Sequence, residues 1–135
     1  MSRVLFVCLH NAGRSQMSQA LFERAAAGRH EARSAGTTPG ERVHPEVVTA
    51  MKEVGFDLSG RTPERLTDDL ANWADIVVTM GCGDDCPYIP GKQYLEWDLP
   101  DPKGRPIDEV RATREEIDQR VRALLETLQA TQPAP

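Results

Sequence analysis

The sequence is poor in aromatic residues, with 2 Trp, 2 Tyr and 3 Phe among 135, too few to wall a deep slot for a large planar ligand. Cysteine is scarce too. Cys8, Cys82 and Cys86 are odd in number, in a chain without secretory features. That argues against a framework of structural disulfides and points to thiol chemistry. No apolar run reaches the roughly 18 to 20 residues of a membrane-spanning helix. Met1-Ser2-Arg3 enters a short apolar stretch with no cleavable signal pattern, so a cytoplasmic protein that engages no membrane is expected. Positive charge is neither abundant nor clustered: 16 Lys and Arg stand against 21 Asp and Glu, a net charge of −5. This balance argues against nucleic acid as a partner and favours a small molecule or another protein.

What is present is the composition of a globular domain, 39% hydrophobic and 27% charged, long enough to bury a core unaided. A single catalytic domain over 1–130 with a frayed tail over 131–135 is expected, acting as a monomer. Val4 to Cys8 is a continuous apolar run, as in a strand covered on both faces, and it ends in the turn-forming Asn11-Ala12-Gly13. Met17, Ala20, Leu21 and Ala25 then recur at helical spacing from Ser15, with Gly28 as a stop. A second strand over Glu31 to Ser34 leads into the loop Ala35 to Gly40. Pro45 opens a helix carrying Val47, Val48, Met51 and Val54. Thr67 caps a short helix through Leu70 and Trp73, Asp75 to Met80 forms a third strand, and Gln93 to Trp97 a fourth. Ile107, Val110, Ile117, Val121, Leu124, Leu125 and Leu128 mark a long last helix. Alternation of strand and helix predicts an α/β fold in three layers, a four-stranded parallel sheet flanked by helices. Ligands of such sheets bind beyond the carboxyl ends of the strands, here the loops after Val7, Ser34, Met80 and Trp97.

The strongest local signal is Cys8-Leu9-His10-Asn11-Ala12-Gly13-Arg14-Ser15, between the first strand and the first helix. Five residues between Cys8 and Arg14 let the backbone curl into a cradle whose N–H groups converge, with the helix N-terminus adding positive potential. Leu9 to Ser15 would thus enclose a tetrahedral oxyanion. Arg14 grips two of its oxygens with its planar fork, and the same field favours the thiolate of Cys8. Asn11 and Gly13 suit left-handed turns. Ser15 can hydrogen-bond the thiolate or cap the helix, and the ring of His10 is expected to point away from the cradle while its N–H faces the anion.

This octet resembles the active-site loop of the low-molecular-weight protein tyrosine phosphatases and of the arsenate reductases that share their fold, and the resemblance extends over essentially the whole chain. It implies that Cys8 is the nucleophile, that Arg14 binds the oxyanion, and that an Asp before a Pro in a late loop is the general acid. Asp101-Pro102 stands at that place, with Asp98 a nearby competitor. Ser34-Ala35-Gly36-Thr37 is similar to the family as well. Family phosphatases follow the acid with aromatic residues, whereas this chain reads Lys103-Gly104. A small inorganic anion such as arsenate, with phosphate and sulfate as relatives, fits better than a phosphotyrosyl ring.

Cys82 and Cys86 separate the two branches. Phosphate hydrolysis needs one thiol, whereas reduction of arsenate to arsenite takes two electrons and therefore a second thiol. The pair follows the third strand, where the thioredoxin-coupled reductases carry their redox cysteines. The resemblance thus implies an arsenate reductase in which Cys82 attacks the Cys8 adduct and Cys86 resolves the disulfide for thioredoxin. No tightly bound cofactor is then required. A phosphatase, or a reductase drawing on mycothiol or glutathione, is the alternative. No metal site is expected, because only His10, His30 and His44 could complete a zinc set. Gln19 stands where some family reductases place an acidic residue that helps hold potassium, so no strong potassium site is expected either.

Overall fold

The computed structural model describes residues 1–81 and 92–131. Cys82 and Cys86 lie outside the described residues, as does most of the expected tail. The elements are β1 (Arg3–Cys8), α1 (Arg14–Ala26), β2 (Glu31–Gly36), α2 (Pro45–Lys52), α3 (Asp68–Trp73), β3 (Ile76–Thr79), β4 (Gln93–Glu96) and α4 (Ile107–Thr131). The four strands pair in parallel in the order β2-β1-β3-β4.

Strand β1 is central, and Val4 to Val7 are fully buried, which explains an uninterrupted apolar run where a half-exposed strand would alternate. Its side chains divide between two cores. Val4, Phe6 and Cys8 face the larger, filled by Met17, Leu21 and Phe22 of α1, Val47 and Met51 of α2, and Ile117, Val121 and Leu125 of α4. Leu5 and Val7 face the smaller, closed by Ala35, Val77 and Leu70 with Ala74. Helices therefore lie on both faces. Among the described residues only α3 covers the second.

Local chemistry sets the ends of the elements. Pro45 occupies the first turn of α2, where a missing N–H costs nothing, and the Thr67 hydroxyl accepts the Leu70 N–H at 3.1 Å to cap α3. Helix α1 ends as Ala27 turns left-handed, with Gly28 also at positive φ. Helix α4 runs to Thr131 and buries Leu124, Leu125 and Leu128 of its apolar stripe. The register places Cys8 opposite Gly36, and Val7 opposite Thr79, which pairs with Glu96. All four strands thus deliver their following loops to one rim.

Helices α2 and α4 are tied at Glu53. Arg111 Nη2 meets its Oε2 at 2.6 Å and Arg114 Nη1 its Oε1 at 2.8 Å, while Arg114 also donates to the Ala50 carbonyl at 2.7 Å. Hydrogen bonds from Arg111 and then Arg114 pull the Glu53 carboxyl down to about 2. The folded chain thus binds this proton less readily than the unfolded one. The contribution of Glu53 to stability is present above the ordinary glutamate range and is lost as pH falls from about 4.5 through about 2. We expect Glu53→Gln to remove this part of the acid limb in a series of urea midpoints measured between pH 6 and pH 2. An acid limb identical to the parent's would refute the clamp.

Candidate active site at the end of the central strand

The chain leaves β1 at Cys8, turns through residues 9–13 and enters α1 at Arg14. The segment 37–44 straps the outside of this turn. Thr37 N–H donates to the Cys8 carbonyl (3.3 Å), Thr38 to Leu9 (2.8 Å), Gly40 to His10 (3.0 Å) and His44 to Ala12 (2.9 Å). In a planar trans peptide the N–H points opposite the carbonyl of its unit. Drawing these four carbonyls outward therefore turns the N–H groups of Leu9, His10, Asn11 and Gly13 away from the strap. At the end of β2, Gly36 presses on the turn from behind: a Cβ there would lie 2.9 Å from Asn11 N, His10 C and Leu9 O, so only glycine fits.

Asn11 sits at φ 50°, a left-handed conformation that asparagine tolerates better than most residues. Its amide orientation is fixed by two donors to Oδ1, the Glu64 N–H at 2.9 Å and Gln16 Nε2 at 3.0 Å. Nδ2 must then face Ser15, whose Oγ it reaches at 2.7 Å. Because Nδ2 can only donate, the Ser15 hydroxyl accepts there and keeps its own proton for Cys8 Sγ, 2.9 Å away. Ser15 therefore serves the sulfur and does not cap the helix. The N-cap of α1 is Gly13, which has no side-chain cap. Cys8 itself is a free thiol, 2% exposed.

Arg14 is 7% exposed. Its Nη1 donates to the Leu99 carbonyl at 3.3 Å, and Nη2 lies 3.7 Å from Asp101 Oδ2. Gly81, at φ 81°, packs against the guanidinium, and a Cβ there would come within 3.1 Å of Cζ. The Asp101 carboxylate is half-exposed and accepts the Lys103 N–H at 3.0 Å. Of the two acidic candidates it is Asp101 that meets Arg14, while Asp98 is exposed. The His10 ring turns outward to the Thr38 carbonyl, 3.0 Å from Nδ1. Burial lowers the proton affinity of His44, with His10 and Lys103 acting in the same direction against Asp101 and Glu46. Gln19 Oε1 accepts the Ser34 hydroxyl at 2.6 Å.

The result is a cup of backbone amides at a helix N-terminus with a buried thiol at its base, a guanidinium on one wall and a carboxylate at the lip. Such a cup has the charge and the donor set to hold a tetrahedral oxyanion beside a sulfur. Among the described residues aromatic side chains are spent elsewhere. Phe6, Phe22 and Trp97 pack in the larger core, and Trp73 lies under Arg3 and Arg33.

Fold and cup together define a phosphatase-type thiol site. The low-molecular-weight phosphotyrosine protein phosphatase model matches residues 3–134, and the chain belongs to that family. A Halobacterium salinarum protein provisionally named an arsenate reductase is 45% identical over 121 residues, covering 86% of this chain and 85% of its own. A solved thioredoxin-dependent arsenate reductase of Corynebacterium glutamicum superposes with a TM-score of 0.82 at 43% identity over 98% of this chain. The match spans 63% of that longer protein. The arginine phosphatase of Geobacillus stearothermophilus superposes with a TM-score of 0.86 at 29% identity, covering 98% of this chain and 96% of its own.

Of the residues expected from sequence, the structure brings together Cys8, the turn through Ser15 and Asp101. Gly13 departs from expectation, with φ −147°. The lack of a side chain there is needed for space and not for a left-handed turn. Sequence reading missed the Leu99 carbonyl, the strap and the Glu64 amide, which are backbone groups without a side-chain signature. We expect Ser15→Ala to slow alkylation of Cys8 by iodoacetamide at pH 7 by about tenfold, the worth of one hydrogen bond to a charged acceptor. Alkylation at the parent's rate would remove Ser15 from the account of the thiol.

Proposed function

We propose that the protein is an arsenate reductase. Arsenate enters the cup, its oxygens held by the turn amides and Arg14. The Cys8 thiolate attacks arsenic and displaces one oxygen, which Asp101 protonates so that it leaves as water. Cys82 then attacks the Cys8 sulfur. The S–As bonding pair goes to arsenic, which leaves as arsenite, and Cys8 and Cys82 are left as a disulfide. Attack by Cys86 on Cys82 frees Cys8, and thioredoxin returns two electrons to the Cys82–Cys86 bond. One arsenate and two thiols thus give one arsenite, one disulfide and one water.

The observation that carries this reading is the position of Gly81. The chain that leaves β3 toward the two cysteines passes directly against the Arg14 guanidinium, so the thiols follow in sequence from the wall of the oxyanion cup. The lack of an aromatic wall among the described residues supports a small anion over an aryl phosphate, and the thioredoxin-dependent structural neighbour supports the donor. Hydrolysis of a phosphorylated substrate is the second reading. It is favoured by the likeness to the arginine phosphatase and by the fact that Cys8, Arg14 and Asp101 suffice for it.

The deciding experiment is arsenate-dependent NADPH oxidation with thioredoxin and thioredoxin reductase, run beside hydrolysis of a chromogenic aryl phosphate. Rapid oxidation with feeble hydrolysis is expected, and the reverse would make the protein a phosphatase. Cys82→Ser or Cys86→Ser should abolish multiple turnover in the coupled assay. Retention of turnover in both variants with glutathione or mycothiol present would replace the relay by a small-thiol donor. Arg14→Lys keeps the charge and loses the fork, so kcat/KM for arsenate should fall by about a hundredfold or more. Near-parental kinetics would refute the cup as the binding site.

A further inference from the structure

Gly13 and Pro102 meet where the late loop crosses the cup. A Cβ built on Gly13 would lie 2.7 Å from Pro102 Cγ and 3.4 Å from Cδ, with His44 Cδ2 at an ordinary 3.5 Å. At φ −147° the backbone of residue 13 is outside the left-handed region that favours glycine. The proline ring stands where a side chain would begin. The ring is closed onto its own backbone nitrogen and can move Cγ only by changing pucker, so a larger residue at position 13 presses on the loop backbone through Pro102. Reaching an ordinary carbon contact of about 3.5 to 4.0 Å requires a retreat of about 1 Å. The neighbouring residue is Asp101, whose carboxylate now lies 3.7 Å from Arg14 Nη2.

We propose that Gly13 is the seat of the acid loop: the bare α-carbon lets Pro102 rest on the cup wall, and this contact sets the depth at which Asp101 meets Arg14 and the bound oxyanion. Gly13 is thus a positioning residue that acts through Pro102 on Asp101, and Pro102 is the spacer. The inference rests on the reading of Asp101 as the proton donor, and one arm of the test separates the two.

The test compares Gly13→Ala, Pro102→Ala, their double variant, Asp101→Asn, and Asp101→Asn added to Gly13→Ala. Two readouts are used, kcat and KM for whichever of the two activities the assays detect and the rate of Cys8 alkylation by iodoacetamide. Gly13→Ala should lower kcat at least about tenfold, the scale set by a displacement of about 1 Å. KM for the oxyanion should change less than about threefold, because every N–H of the turn is kept, and alkylation should quicken as the loop lifts. Pro102→Ala removes the obstructing Cγ and should restore most of the lost kcat in the double variant. Adding Asp101→Asn to Gly13→Ala should cost much less than Asp101→Asn alone. Parental kcat and alkylation in Gly13→Ala would overturn the proposal, as would a loss that Pro102→Ala leaves unrelieved. If Asp101→Asn alone leaves kcat unchanged, the proton-donor reading fails, and the alkylation rates of Gly13→Ala and the double variant still decide the seat.

Discussion

Everything at this site depends on which way four peptide units face. Left alone, the turn after β1 would direct its carbonyls and amides according to local convenience, and an anion would meet both signs of partial charge. The strap from Thr37 to His44 takes the carbonyls of Cys8, Leu9, His10 and Ala12 as acceptors, and the planarity of the peptide then commits the opposite faces. The electrostatics of the cup are thus a by-product of ordinary hydrogen bonds made outside it. Gly36, at the end of β2, completes the arrangement by letting the strap begin in backbone contact with the turn.

Burying Arg14 is the principal cost of the design. A guanidinium withdrawn from water needs acceptors, and the protein offers the Leu99 carbonyl and the Asp101 carboxylate. Both are supplied by the stretch after β4. The acid loop therefore has two duties. It carries the carboxylate proposed as the proton donor to the lip, and it holds the Arg14 guanidinium. An anion entering the cup would meet a guanidinium already withdrawn from solvent, which lowers the reorganisation needed at the moment of reaction.

The architecture was largely legible in the sequence, for particular reasons. Val4 to Cys8 could be placed because a strand covered on both faces has no polar positions, and α4 because one apolar stripe on a charged background specifies a helix. Cys8, Arg14 and Ser15 could be placed because their spacing is fixed by a turn of one length. Asp101 could be preferred over Asp98 only by likeness to a family, and it took the contact with Arg14 to distinguish them physically. The reason for Gly13 was misread. Glycine in a turn suggests left-handed backbone, whereas here it answers a proline more than eighty residues away, and no local pattern encodes so distant a contact.

The division of labour around the turn has a consequence for how such a sequence can drift. An anion that is gripped by main-chain amides is blind to most of the side chains around it. The part-exposed Leu9 and His10 can be exchanged for others with little change in what an anion would meet, provided the backbone path is kept. Substitutions in Gly36, or in the strap that holds the carbonyls, would be felt at once by a ligand those residues never touch. In this protein the tolerance of a position to replacement is therefore a poor guide to its distance from the chemistry.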